Sequence, residues 1–380
     1  MNDSRASRPA IHSTVAYVAD SPDHADRCLG GGTPGFIYQR DANPTAEMLA
    51  EKCRRLHGAD AAVVTSSGMS ALSLVVLGLL KSGDEVLLSS RLYGKTVTLL
   101  KQAEKFGVTS RLVDMTKLDE VRAAIGPATR LLIVETISNP MLRVADIAAL
   151  AAIAHQNKTL LLVDNTFASP VLCRPIEFGA DLVWESMTKI MNGHGDVVMG
   201  LLCGSQKVWG QIPATLSTWG LTSSPHECWL VERGLSTLFV RLKSACESAL
   251  DVAEFLAQHP RVSSVHYPGL AAHPDHRLAS QILQLDGRVG FGHMVTFQVP
   301  GGISAATKLI QNLESIHFCA SLGELSTTLS HPASTSHRTQ NAQQWAEAGI
   351  DGGTIRLSIG LESPEFIRDS LNRGLASLDD

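Results

Sequence analysis

The sequence predicts an α/β protein with a large domain on a mostly parallel seven-stranded sheet and a smaller C-terminal α/β domain. Three observations carry this. From about residue 59, short β-rich runs alternate with segments of helical period, the rhythm of a parallel sheet covered by crossover helices. A long stretch with few breakers, from 231 to 260, separates that region from a second and shorter alternation. A chain of 380 residues with 44% hydrophobic content is too long for one simple core and has enough apolar material for two.

Taken in order, residues 1–42 are rich in Pro, Gly, Asp and Ser and read as an N-terminal arm with little core of its own. Residues 43–235 hold the expected strands AAVVTS, EVLLSS, TSRLVD, RLLIVET, TLLLVD, LVWESM and VVMGLLCG. Between them TVTLLKQAEKFG, LDEVRAAIG and IAALAAIAHQNK have helical spacing and end in Gly, Lys or His, as helix C-termini tend to. The stretch from Val231 to Pro260 reads as one long helix, bent at Gly234 and able to connect two domains. The smaller domain, 236–380, alternates SSVHYPG, HMVTFQV, HFCASLG and TIRLSIG with the helical AATKLIQNL and PEFIRDSLNRGLASL.

Composition narrows the function. Thirty-two basic against thirty-seven acidic residues give a net charge of −5 with no like-charge block, which argues against a nucleic-acid partner. The longest apolar stretch, ALSLVVLGLL, is about half a bilayer span, and the N-terminus lacks an apolar signal core. No membrane association and a cytoplasmic location are expected. The seven cysteines are odd in number and form no CxxC pair, so they read as buried small hydrophobes, with no metal site.

In an open parallel sheet, ligands bind beyond the carboxyl ends of the strands. Here those ends are polar. AAVVTS leads into SGMSA, a small-residue turn before a helix whose free N–H groups and dipole suit a phosphate. RLLIVET leads to ISNP, TLLLVD ends in Asp164, and LVWESM leads to Thr188 and Lys189. Taken singly, Asp164 reads equally as a helix cap, Lys189 as a lysine reaching for solvent, and Tyr38 and Tyr93 as half-buried packing residues. Gathered at one sheet edge, they supply hydroxyls, an amide, a carboxylate and an amine, a set able to hold a phosphorylated heteroaromatic cofactor.

The stretch SMTKIMNGHGDVVMG is similar to the cofactor-lysine signature of the Cys/Met-metabolism family of pyridoxal 5′-phosphate enzymes, which includes cystathionine γ-synthase, cystathionine γ-lyase, methionine γ-lyase and O-acetylhomoserine sulfhydrylase. The likeness continues through YQRDANPT, SSGMSAL, YGKT, ETISNPMLRVADI, VDNTFASP, RGLSTL, VHYPGL, SLGELSTTLSHPASTSH and IRLSIGLE, in the family's order and over nearly the whole chain. It implies an aspartate-aminotransferase-like large domain of fold type I. By the resemblance, Lys189 joins the cofactor covalently, Asp164 pairs with its ring nitrogen, Tyr93 stacks on the ring and moves protons, and Asn139 lies near the phenolic oxygen. The phosphate would be held by Gly68, Met69, Ser186 and Thr188. Tyr38 and Arg40 would reach it from a neighbouring subunit, which implies at least a homodimer and, on the family pattern, a homotetramer. Arg356 would grip the substrate α-carboxylate with Ser321 beside it.

The implied reaction is γ-elimination or γ-replacement on a sulfur-containing or O-acylated homoserine-type amino acid. Chain length, NPMLRVADI and Lys95 point toward a cystathionine γ-lyase or γ-synthase. Methionine γ-lyase and O-acylhomoserine sulfhydrylase are the alternatives, with cystathionine β-lyase or an aminotransferase behind them. Ser326 stands where cystathionine-using members often carry a glutamate, and HPASTSH resembles the methionine γ-lyase and sulfhydrylase members. Lys95 either meets an acidic distal group of the substrate or faces solvent at a helix start. Gly193 and Gly195 are expected to turn the backbone tightly after Lys189, and His194 to be structural.

Overall fold

The computed structural model describes residues 7–338 and 341–379; the first six residues of the expected arm lie outside them. The large sheet comprises β1 (Ala61–Thr65), β2 (Glu85–Ser89), β3 (Thr109–Val113), β4 (Thr129–Glu135), β5 (Leu160–Asp164), β6 (Leu182–Ser186) and β7 (Gly200–Gly204). Its order is β1-β7-β6-β5-β4-β2-β3. Strand β7 runs antiparallel to both neighbours and every other adjacent pair is parallel. All seven expected strands are present. The seventh starts at Gly200, later than expected, because the Met199 amide leaves the ladder to donate to the Thr188 hydroxyl at 3.0 Å.

Period-2 alternation sends successive side chains into two cores. Leu132 and Val134 of β4 enter one, Leu131 and Ile133 the other. The arm holds α1 (Pro22–Leu29), and α2 (Pro44–His57) follows it. The crossover elements are α3 (Gly68–Leu79), α4 (Gly94–Ala103), α5 (Leu118–Ala124), α6 (Ile147–Gln156) and the short α7 (Ser169–Leu172), and α8 (Ile212–Thr218) follows the last strand. Helices α3, α4 and α8 cover one face through Leu72, Leu100 and Ile212. Helices α2, α5 and α6 cover the other through Leu49, Val121 and Leu150.

The stretch expected to form one long helix is two: α9 (Pro225–Leu235) and α10 (Leu238–Gln258), parted at Ser236 and Thr237. Gly234 remains helical. A side chain there would stand 2.5 Å from the Asn192 carbonyl, so the glycine answers a close backbone approach and the bend falls two residues later. Helix α10 packs Leu238 and Leu242 into the large core and Val252 and Leu256 into the small one, so it belongs to both.

Beyond it lie β8 (Ser264–His266), α11 (His276–Ile282), the hairpin β9 (Gln284–Leu285) and β10 (Arg288–Val289), β11 (Met294–Gln298), α12 (Gly302–Gln311), β12 (His317–Phe318), β13 (Thr328–Ser330), α13 (Ala342–Ala348), β14 (Thr354–Ser358) and α14 (Pro364–Ala376). The smaller sheet has the order β12-β13-β14-β11-β8. Strand β13, three residues in a polar run, had no signal in the sequence. The arm buries no residue of α1 and is tied down by polar contacts: the Asn43 amide donates to the His12 carbonyl at 2.9 Å, and the Trp229 indole to the Pro9 carbonyl at 3.2 Å. The cysteines are free thiols, five buried and two half-buried. Among the described residues no group of three or more His, Cys, Asp or Glu side chains is placed to hold a metal, and no helix is long and apolar enough to cross a membrane.

Candidate active site

A cavity of about 640 Å³ opens beyond the carboxyl ends of β4, β5 and β6, with the smaller domain supplying its far side. One end is the N-terminus of α3. Ser67 caps it, its hydroxyl accepting from the Ser70 amide at 3.0 Å, so the first N–H groups of Gly68 and Met69 face the cavity. The helix start lies directly on the end of β6: a Cβ on Gly68 would stand 2.9 Å from that of Ser186. Ser186 and Thr188 line the same end, and Thr188 is held by accepting from the Met199 amide at 3.0 Å. This end offers only hydrogen-bond donors, hydroxyls and a helix dipole, the chemistry of an anion seat.

Lys189 projects from the turn after β6. Its Nζ donates to the Ser321 hydroxyl at 3.0 Å. Burial first, and then the Arg356 guanidinium, push its amine below the usual lysine value, toward the neutral form a nucleophile needs. The turn is locked from behind. The Arg241 guanidinium donates to the carbonyls of Ile190 at 2.8 Å and Met191 at 3.1 Å. Gly193 and Gly195 both adopt left-handed backbone, with φ of 76° and 68°. At Gly193 a side chain would also overlap Arg241, whose Nη1 lies 2.0 Å from the Cβ position. His194 turns away and bonds the Asn192 carbonyl at 2.7 Å.

Glu135 and Asp164 are register partners at the ends of β4 and β5, so their side chains share one face and line one cavity. Burial above all pushes the Asp164 carboxyl up to about 6, against hydrogen bonding by Thr166. Burial, then the Asp164 carboxylate, pushes Glu135 up to about 8. Glu135 accepts from the backbone amides of Tyr93 at 2.7 Å and Asn139 at 2.9 Å, and so fixes the two loops that carry those residues. The Asn139 side-chain oxygen accepts from Arg356 Nη1 at 2.7 Å. Arg356, buried on β14, also donates to the Ser321 carbonyl at 3.4 Å and has its guanidinium carbon 5.9 Å from the centre of the Phe167 ring. Its Nε is buried without a hydrogen-bond partner among the described residues, and the residue lines the cavity.

The cavity therefore brings together Gly68, Met69, Tyr93, Asn139, Asp164, Ser186, Thr188, Lys189 and Arg356, with Ser321 bonded to the lysine. Tyr38, Arg40 and Lys95 are not part of its lining. Arg40 lies over the Tyr38 ring at 5.2 Å, and Lys95 is exposed on the first turn of α4. The sequence reading missed Glu135, Thr166, Phe167, Arg241 and Arg338. Glu135 had a usable signal, being the acidic end of an apolar strand adjacent to the one that ends in Asp164.

The donor set fits a phosphorylated pyridine aldehyde: an anion seat, an amine for the carbonyl, and a carboxylate for a protonated ring nitrogen. Asp164 decides this. It is a raised, water-poor carboxylate with no ion-pair partner among the described residues, and a cationic ring nitrogen is the partner that relieves it.

The comparisons agree with that fit. The family model described as "Cys/Met metabolism PLP-dependent enzyme" matches residues 1–376. An L-methionine gamma-lyase of Fusobacterium nucleatum subsp. polymorphum is 38% identical over 372 residues, 97% of this chain and 93% of the relative. An O-succinylhomoserine sulfhydrylase of Pseudomonas aeruginosa is 39% identical over 370 residues, covering 97% and 91%. The crystal structure of cystathionine gamma synthase from Xanthomonas oryzae pv. oryzae, in complex with aminoacrylate and cysteine, superposes with a TM-score of 0.91 at 35% identity, over 98% of this chain and 93% of the other. With a fold-type-I architecture, a lysine and a carboxylate in one cavity and a family match along its length, the chain belongs to the Cys/Met-metabolism family of enzymes that use pyridoxal 5′-phosphate.

Proposed function

We propose that the protein catalyses γ-elimination or γ-replacement on a homoserine-type amino acid carrying a thioether or an acyl ester at its γ-carbon. The observation that carries this is Lys189: a half-buried amine of lowered basicity, 3.0 Å from the Ser321 hydroxyl, in one cavity with Arg356 and Asp164. Pyridoxal phosphate supplies an electron sink for the pair released when the Cα–H bond breaks. Asp164 keeps the ring nitrogen protonated, and Gly68, Met69, Ser186 and Thr188 hold the phosphate.

Arg356 binds the α-carboxylate as a charged fork while Asn139 holds the guanidinium in place. That orientation presents the α-hydrogen to Lys189 Nζ, which takes it, would hand it on to the bound cofactor and, neutral again, serves as the base at Cβ. Loss of the Cβ proton expels the γ-substituent, and the Tyr93 hydroxyl is its proton donor. Ser321 holds Nζ between these transfers. Water reaching the product of that loss gives a 2-oxo acid and ammonia; a thiol gives a new thioether. Tyr38 and Arg40, outside this chain's cavity lining, serve the phosphate of a neighbouring subunit in a homodimer or a higher oligomer of cytoplasmic location.

The test is incubation of the holoenzyme with L-methionine, L-cystathionine, O-acetyl-homoserine and O-succinyl-homoserine, with and without cysteine or sulfide, and identification of products by mass. Formation of 2-oxobutanoate or a new thioether supports the reading. Accumulation of the amino form of the cofactor after one half-reaction, with none of these products, replaces it with transamination.

A further inference from the structure

We infer that Arg338 is a specificity determinant that draws to this site a substrate whose side chain ends in an anionic group, a carboxylate above all. The inference rests on the proposed γ-chemistry and names its substrate class.

Three cations line the cavity: Lys189, Arg356 and Arg338. Two are engaged inside it, Lys189 with Ser321 and Arg356 with Asn139. The two lining carboxylates are engaged as well. Glu135 receives two backbone amides, and Asp164 accepts from the Thr166 amide at 2.9 Å and, on the proposed function, pairs with the ring nitrogen of the cofactor. Arg338 is exposed and makes no ion pair or side-chain hydrogen bond among the described residues.

Its place in the cavity matters as much as its freedom. Arg356 is buried on β14, whereas Arg338 lies in the segment after β13 that comes round to the start of α4. There the Ser336 carbonyl stands 3.0 Å from the Cβ position of Gly94, next to Tyr93. A substrate whose α-carboxylate sits on the buried arginine therefore extends its side chain toward the open end, where Arg338 is the cavity-lining guanidinium without an ion pair or side-chain hydrogen bond among the described residues. Lys95, the cation that the sequence offered for this task, is outside the lining. A guanidinium at a half-open mouth forms charge-assisted bonds to a carboxylate and has no comparable partner in an acetyl or methyl terminus.

O-Succinyl-homoserine and O-acetyl-homoserine share the ester and the γ-carbon but differ in the terminal carboxylate, so the ratio of their kcat/KM values isolates this contact. Arg338→Ala is expected to lower kcat/KM for the succinyl ester about tenfold, chiefly through KM, while the acetyl ester changes by less than about twofold. Arg338→Lys, which keeps the charge, is expected to recover most of the loss. Cofactor absorbance, unchanged in both variants, reports that the fold and cofactor seat are intact. An unchanged ratio, or equal losses on both esters, overturns the assignment of Arg338 and leaves the γ-chemistry standing. A wild-type enzyme that converts neither ester nor methionine overturns the γ-chemistry itself, and the inference with it.

Discussion

The Arg356 guanidinium donates to the Asn139 side-chain oxygen at 2.7 Å, which ties β14 of the smaller domain to the loop after β4 of the larger. Asn139 is itself fixed through its backbone amide to Glu135, so the cavity-lining arginine is aimed by a carboxylate on the large sheet. Domain contact and the aim of the guanidinium are one arrangement. Arg356→Lys keeps the charge but loses the planar fork, and is expected to lower kcat/KM about thirty- to hundredfold, mostly through KM, with cofactor absorbance unchanged. A kcat/KM within twofold of wild type removes Arg356 from substrate binding.

Lys189→Ala is expected to abolish turnover and to leave cofactor that gel filtration strips from the protein. Borohydride reduction of the wild type should label the peptide that contains Lys189 and no other. A label on another lysine, or residual turnover near wild type, withdraws the role given to this amine. Ser321→Ala should be milder, because it frees Nζ without removing it.

Gly68→Ala tests the anion seat. The added methyl meets Ser186 at about the Cβ-to-Cβ distance that real side chains avoid, 2.9 Å, so the start of α3 must move away from β6. Cofactor affinity is expected to weaken about tenfold, the effect of misaligning one or two backbone donors. Unchanged affinity by equilibrium titration means that α3 does not hold the phosphate.

Behind the site, His57 Nε2 lies 3.4 Å from Glu185 Oε1, both groups wholly buried. Burial pushes His57 down to about 3 and Glu185 well up, so both are neutral. Glu185 accepts from the Asn165 amide at 2.7 Å, on the residue that follows Asp164. Glu185→Ala opens a cavity and strips Asn165 and His57 of this neighbour, and is expected to cost about 3 kcal/mol in denaturant unfolding. Glu185→Gln retains the acceptor and should cost less than half as much. Equal costs for both substitutions mean that the carboxyl group itself, which both variants lack, and not the cavity that only Ala opens, sets the penalty.

The large sheet was legible because its strands are apolar runs bounded by turn residues, and strand-end polarity marked Asp164 and Lys189 without reference to any family. Chemistry carried by tertiary contact was not legible. Gly234 read as a hinge because a helical glycine is a local breaker, whereas its reason is the Asn192 backbone, 42 positions earlier in the chain. Lys95 read as a substrate contact because it follows Tyr93 by two residues, yet on α4 that spacing turns it off the cavity face, which Tyr93 shares with Thr96. Arg338 carried no pattern of its own, and only the path of the segment after β13 brings it to the cavity.

The two raised carboxyls give a pH signature that depends on the cofactor. Asp164 at about 6 and Glu135 at about 8 lie above their unfolded values, so in the cofactor-free protein they favour the fold while protonated. That contribution is fully present below about pH 4 and is lost as pH rises through the folded values. If Asp164 pairs with the ring as proposed, bound cofactor brings it a cationic nitrogen that favours the ionised form and removes much of the cost of deprotonation. His57 and His293, both pushed down to about 3, act in the opposite sense at lower pH, but they are common to both forms and cancel in the difference. The melting temperature of the holoenzyme minus that of the cofactor-free protein should therefore widen between about pH 4 and 6, the interval between the unfolded and folded values of Asp164, and in Asp164→Asn it should stay flat there. A wild-type difference that is constant or narrows over this range would mean that Asp164 does not pair with the ring.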